Sequence, residues 1–266
     1  MAPYDFDSPD ADAILRSSDG KELRVHRVIL SHSSPVFQGM FGLPQPTSDL
    51  PAQMPTVEVS DPSDTLEPFI QYIYPQSPPK TADLSMWAAL YTIADKYNAE
   101  VVMEHLRDML IPRFLETSPF RVYALASRWS FEEEAKTASR RTLRLDILND
   151  FSEEDAKLMD GVACQKLYRL HFNRREAARA VVSNHPPPSP SDASCVCPPP
   201  LWSGLAPSLC QRVSTAPWLT AEELFEEAAK WGYPTQCGYS CRNAWENMHK
   251  QFVSLVERIS DLPQTI

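Results

Sequence analysis

The chain has 266 residues, 43% of them hydrophobic, enough for one large domain or two small ones with a real core, which excludes wholesale disorder. Its net charge of −10 repels a phosphate backbone, so nucleic-acid binding would need a strong local basic patch. The 25 prolines against 7 glycines predict a helical body broken by fixed, proline-punctuated loops.

The opening MAPYDFDSPDADAIL has no basic stretch followed by an apolar core. No window nears about 18 uninterrupted apolar residues. An intracellular protein, cytoplasmic or nuclear, with reduced thiols is therefore expected, and neither membrane nor nucleic acid is expected as a partner.

In AILRSSDGKELRV, apolar and polar residues alternate on both sides of Asp19-Gly20, a pair suited to a tight hairpin. Strands are expected over residues 13–17 and 22–25, followed by a short helix to about His32 in which Val28 and Ile29 recur at helical spacing. Ser34-Pro35 reads as an N-cap with proline at the first helical position, opening a helix with Val36, Phe37, Met40 and Phe41 on one face. The four prolines of LPQPTSDLPAQMP make a loop, and TVEVS alternates as a third strand. Asp61-Pro62 repeats the cap-plus-proline pattern before a helix carrying Leu66, Phe69, Ile70 and Ile73.

PQSPPK ends that helix, and MWAALYTIADKYNA, apolar nearly all round, reads as a buried one. In VVMEHLRDMLIPRFLE, Pro112 either kinks one helix or separates two. Ser118-Pro119 starts another, the spacing of Ser130 and Glu133 suggests a capping box for the next, and residues 151–182 read as further helix. HPPPSPSDASCVCPPP, with seven prolines in sixteen residues, predicts a linker or surface wrap, assigned to residues 183–217. Thr220 and Glu223 form a capping-box spacing for a helix to about Trp231, and a last helix over residues 242–259 carries Trp245, Met248, Phe252 and Leu255.

RVHRVILSHSSPVFQGMF holds the ingredients of a hydrolytic site, but it lacks the glycine-rich strand-to-helix turn that exposes a nucleophile, so no catalytic residue is assigned. No phosphate-cradling glycine loop is present either. Arg121, Arg128, Lys136, Arg140, Arg141 and Arg144 are interleaved with Glu132, Glu133 and Glu134 and read as a solvated helix face. Cys195, Cys197, Cys237 and Cys241 could supply four thiolates to a structural zinc, the one cofactor weighed; a disulfide or redox pair and independent packed or surface thiols are the competing readings. Trp202, Trp218, Trp231 and Trp245 read as core anchors of the tail, with a partner groove as the alternative.

Taken in order, DAILRSSDGKELRVHRVILSHSSPVFQGMF resembles the opening of a BTB (POZ) domain, with Asp12, His26, Leu30, Ser34, Phe37, Met40 and Phe41 at the recognisable positions. TVEVSD, the helix ending IYP, LYTIADKYNA and HLRDMLIPRFL follow in the family's order, and the layout is similar to BTB proteins abundant in mushroom-forming fungi. The resemblance implies an α+β chain: a short N-terminal segment (1–11), a BTB fold of a small three-stranded sheet with helical hairpins (12–116), a helical extension (117–182), the proline-rich linker (183–217) and a helical tail (218–266).

It also implies binding to a protein partner, through self-association or recruitment to a cullin-type ubiquitin-ligase scaffold. A transcriptional or chromatin regulator acting through the same platform is the alternative. By the resemblance, Asp12 and Arg27 lie near a charged pocket, or else form an internal ion pair orienting the first helix. With Phe37, Met40 and Phe41 they are the candidate partner contacts, while His26, Leu30 and Ser34 are structural. Two features depart from common members. About eleven residues precede Asp12, fewer than swapped dimers exchange, and LPQPTSDLPAQMP shows no obvious hydrophobic-x-Glu motif of the kind often found in cullin-binding members.

Overall fold

The structure, a computed structural model, describes residues 6, 8–43, 54–75, 83–185, 202–230 and 242–266, and the chain divides into two units, residues 1–113 and 114–266. In the first unit, β1 (Ala13–Arg16) and β2 (Glu22–Val25) pair antiparallel with Ala13 opposite Val25 and Leu15 opposite Leu23. Gly20, at φ +84°, supplies the left-handed turn between them. The two-residue alternation buries Ala13, Leu15, Leu23 and Val25 on one face. β3 (Thr56–Glu58) joins β1 in parallel, giving the order β2-β1-β3.

Five helices complete the unit: α1 (Arg27–Ser33), α2 (Pro35–Gly42), α3 (Ser63–Ile73), α4 (Leu84–Lys96) and α5 (Glu100–Phe114). The Ser34 hydroxyl accepts the Phe37 N–H at 3.1 Å, capping α2, and donates to the Tyr97 carbonyl at 2.5 Å. Phe37 stacks on Tyr97 with ring centres 4.5 Å apart, and Phe69 joins them in the core. The buried Trp87 donates its indole N–H to the Leu106 carbonyl at 2.7 Å, tying α4 to α5. Pro112 lies within α5, which continues through it as one helix.

Asp61 does not cap α3. Its carboxylate accepts from Lys96 Nζ and Tyr97 Oη, both at 2.6 Å, and Pro62 is the N-cap residue with no side-chain bond. The free N–H of Ser63 goes instead to Asp19 of the hairpin at 3.1 Å, and the Ser63 hydroxyl to the other Asp19 oxygen at 2.6 Å. The Ser17 hydroxyl, which also donates to Asp19, and then the Ser63 hydroxyl hold the Asp19 carboxyl down at about 2.

The second unit is helical: α6 (Pro119–Arg128), α7 (Glu132–Thr142), α8 (Glu153–Lys157), α9 (Gly161–Ser183), α10 (Trp202–Thr215), α11 (Ala221–Lys230) and α12 (Arg242–Ser260). Here the linker reading of residues 183–217 is corrected. Residue 183 still belongs to α9, and α10 occupies 202–215, because Leu205, Leu209 and Val213 form a buried stripe at four-residue spacing. That burial outweighs the hydrogen bond Pro207 cannot donate. The stripe packs with Ala178 and Val182 of α9, Leu224 and Ala228 of α11, and Phe252, Leu255 and Ile259 of α12.

Thr220 and Glu223 make a reciprocal capping box at the start of α11, with bonds of 3.2 and 2.8 Å. Ser130 does not cap α7, whose N-cap is Phe131 without a side-chain bond. Ser130 sits at φ +58° and closes α6 instead, with Phe131 N–H bonding the Ala126 carbonyl at 2.8 Å and Ser130 N–H that of Ser127 at 3.2 Å. A side chain in this left-handed position costs about 1–2 kcal/mol. Ser130→Gly is therefore expected to stabilise the second unit by about 0.5 kcal/mol after its extra chain entropy, and Ser130→Val to destabilise it by about 1–2 kcal/mol, both measurable by urea titration.

Candidate partner-binding surface

Asp12 precedes β1 and reaches the start of α1, where one carboxylate oxygen accepts the Arg27 backbone N–H at 2.7 Å. The Arg27 guanidinium turns elsewhere, donating to the Phe41 carbonyl at the end of α2 at 2.8 Å and lying 5.6 Å from the Phe41 ring. An Asp12–Arg27 side-chain ion pair is thus corrected to a main-chain bond, which satisfies an otherwise orphaned helix N–H. Arg27 thus ties α1 to Asp12 through its backbone N–H and to the end of α2 through its side chain.

His26, at the end of β2, has Nδ1 3.0 Å from Tyr74 Oη, and Tyr74 Oη accepts the His26 backbone N–H at 2.9 Å. The Nε2 of His26 faces the Asp10 carboxylate at 3.4 Å. Hydrogen bonding by the Ser8 hydroxyl, and to a smaller degree by His26, holds Asp10 below the usual carboxylate range. Ser34 and His26 therefore serve different neighbours, Tyr97 and Tyr74. The Ser34 hydroxyl and the His26 imidazole are not paired with each other. Leu30 and Ser34 are fully buried.

Phe37 and Phe41 are corrected from partner contacts to core residues. Phe37 is 0% exposed and Phe41 6%, because their face of α2 packs inward on the aromatic cluster with Tyr97 and Phe69. Met40 is half-buried, while Asp12 and Arg27 are exposed. The apolar surface at this end of the unit comes from two other residues: Val28 on α1 is 73% exposed and Leu43, just past α2, 65%. The seven residues of α1 bury only Leu30.

A family model of the BTB/POZ domain matches residues 7–113. The chain carries a BTB/POZ domain. The match covers the three-stranded sheet and all but the last residue of α5, and the architecture is α+β. A BTB/POZ domain is a protein–protein interaction module, and the exposed Asp12, Arg27, Val28 and Leu43 stand on the BTB surface at the α1–α2 junction. No curated protein matches the chain.

Outside the BTB domain, three of the six basic residues read as a solvated helix face are paired with carboxylates. Arg121 meets Asp155 at 3.0 Å, Arg141 meets Glu116 at 2.7 Å and Lys136 meets Glu133 at 2.8 Å. Arg141 accordingly holds Glu116 below the usual carboxylate range. Arg140, Arg144 and Arg174 gather around the half-buried Trp218 ring, at 6.0, 5.0 and 5.2 Å. Cys195, Cys197, Cys237, Cys241 and Trp231, and the side chains of Trp202 and Trp245, lie outside the described residues. Among the described residues Cys164 and Cys210 are free thiols, and no group of three His, Cys, Asp or Glu side chains is placed to hold a metal. Among them, too, no helix is long and apolar enough to cross a membrane.

Proposed function

We propose that the chain is a non-enzymatic adaptor whose BTB domain docks a protein partner on the α1–α2 junction, either a second copy or a cullin-type scaffold. The observation that carries this reading is the pair Val28 and Leu43, exposed beside the Arg27–Phe41 lock. Two apolar side chains on a braced junction, rimmed by the charges of Asp12 and Arg27, offer an apolar centre with a polar rim. The use of Ser34 and His26 in separate structural bonds supports the non-enzymatic part.

Burying each apolar side chain contributes about 1.5–3 kcal/mol. Val28→Glu with Leu43→Glu is therefore expected to weaken association more than about tenfold while leaving the melting temperature in place. Light scattering at tens of micromolar measures self-association, and calorimetry with a cullin N-terminal domain measures recruitment. A wild-type chain that stays monomeric and binds no cullin, or a double variant that associates unchanged, would sink the proposal.

A further inference from the structure

We infer that α9 carries a second docking face whose occupant is another copy of this chain, set antiparallel across a two-fold axis. Among the described residues of the second unit, three of the four large apolar side chains left exposed are Leu148, at 68%, Phe172, at 61%, and Tyr168. Tyr168 and Phe172 stand four residues apart on α9 and so share one side of it. The Phe151 ring lies 5.8 Å from that of Tyr168, edge to face, and Leu148 is in the turn leading into it. The fourth side chain, Val162, is six residues from Tyr168 and falls on another side of the helix.

The patch is anchored from beneath. Phe151 packs on the buried Phe120 at 5.3 Å between ring centres, and Phe120 in turn lies 6.1 Å from the ring of buried His171, the residue before Phe172. The exposed rings are therefore held in place before any partner arrives, which lowers the entropy lost on docking.

The charges around the patch select the occupant. Along one flank the Tyr168 end carries the acid Glu153 and the far end the base Arg175; along the other the Tyr168 end carries the base Arg169 and the far end the acid Glu176, which also meets Arg179 at 3.3 Å. Glu153 and Arg175 meet no opposite charge within ion-pair distance among the described residues, and Arg175 Nε is buried without a hydrogen-bond partner. The remaining acids nearby are engaged: Glu154 pairs with Arg121 at 3.3 Å, and Asp146 and Asp150 accept backbone N–H groups of their own turn. A half-turn about an axis through the patch exchanges its two ends, so each acid of one copy faces a base of the other, whereas a parallel copy would set like charges together. Phe172 and Tyr168 then bury each other's exposed rings at the centre.

The face lies wholly in the second unit, so it is read independently of BTB docking in the full chain carrying Val28→Glu and Leu43→Glu, which lacks the apolar pair of the BTB surface. Light scattering at tens of micromolar should give a dimer for that chain, and a monomer once Phe172→Glu or, separately, Leu148→Glu is added, with the thermal transition retained. Arg175→Glu and Glu153→Arg should each weaken the dimer at least tenfold, and an equimolar mixture of the two charge-reversed chains should restore it, since each reversed side chain then meets its opposite. A monomeric chain before any change on α9, a dimer unchanged by both apolar variants, or a mixture that stays monomeric overturns the proposal.

Discussion

Arg174→Ala is expected to destabilise the second unit by about 3–5 kcal/mol, since hydrogen bonds to a charged group are worth about 1.5–3 kcal/mol each and four carbonyls, two of them in buried bonds, lose their donor together. The guanidinium donates through Nε to Pro217 at 2.8 Å, through Nη1 to Leu262 and Pro263, and through Nη2 to Ile259 at 2.8 Å. One side chain on α9 thereby joins the α10–α11 connection to the end of α12. Burial, and then the neighbouring Arg140, bring its pKa down to about 10, still well above neutrality, so it remains a cation.

Arg174→Lys should recover only part of the loss, because an ammonium cannot span four acceptors in a planar fork. Urea unfolding followed by far-UV circular dichroism, compared with the isolated variant effect of a core change in the BTB domain such as Trp87→Ala, checks the assignment. An Arg174→Ala loss under about 1 kcal/mol would show that the carbonyls find water instead.

The second large effect is a pH dependence. His171 on α9 is 1% exposed, with Nε2 3.0 Å from the Thr142 hydroxyl, which itself donates to the Ser139 carbonyl at 2.6 Å. Thr142 can then only accept, so Nε2 carries the proton and buried Nδ1 has no hydrogen-bond partner, the state of a neutral ring. Burial first and Arg175 second, opposed by Asp146, bring its pKa from 6.5 to about 4.

The unfolded chain therefore binds this proton more readily than the folded one. The site's contribution is fully present above pH 6.5 and is lost as pH falls toward 4, by on the order of 3 kcal/mol. His171→Gln, which cannot titrate, should remove one proton from the slope of stability against pH in that window. An unchanged slope in the variant would show that another group carries the acid sensitivity.

Local rules carried much of this chain. The period-two alternation around Asp19-Gly20 and the Ser34 and Thr220–Glu223 caps act within a few residues, and all three stand in the structure where the sequence put them. The corrections share a different cause. Asp61 and Ser130 occupy capping positions by spacing, yet Asp61 is claimed by Lys96 and Tyr97 and Ser130 by the end of the preceding helix. The bond that does serve α3 comes from Asp19, 44 residues upstream, and no spacing rule reaches that far.

By itself the sequence determined the BTB domain, its sheet and its helices, because hydrophobic periodicity and turn chemistry are written residue by residue. Which apolar residues stay outside was decided only in three dimensions. Val28 and Leu43 look no different in sequence from Leu30 and Phe41, and a single arginine on a charged helix gives no sign that it will be buried. Exposure and burial depend on what packs across from a residue, and for Arg174 its partners lie 43 to 89 positions away.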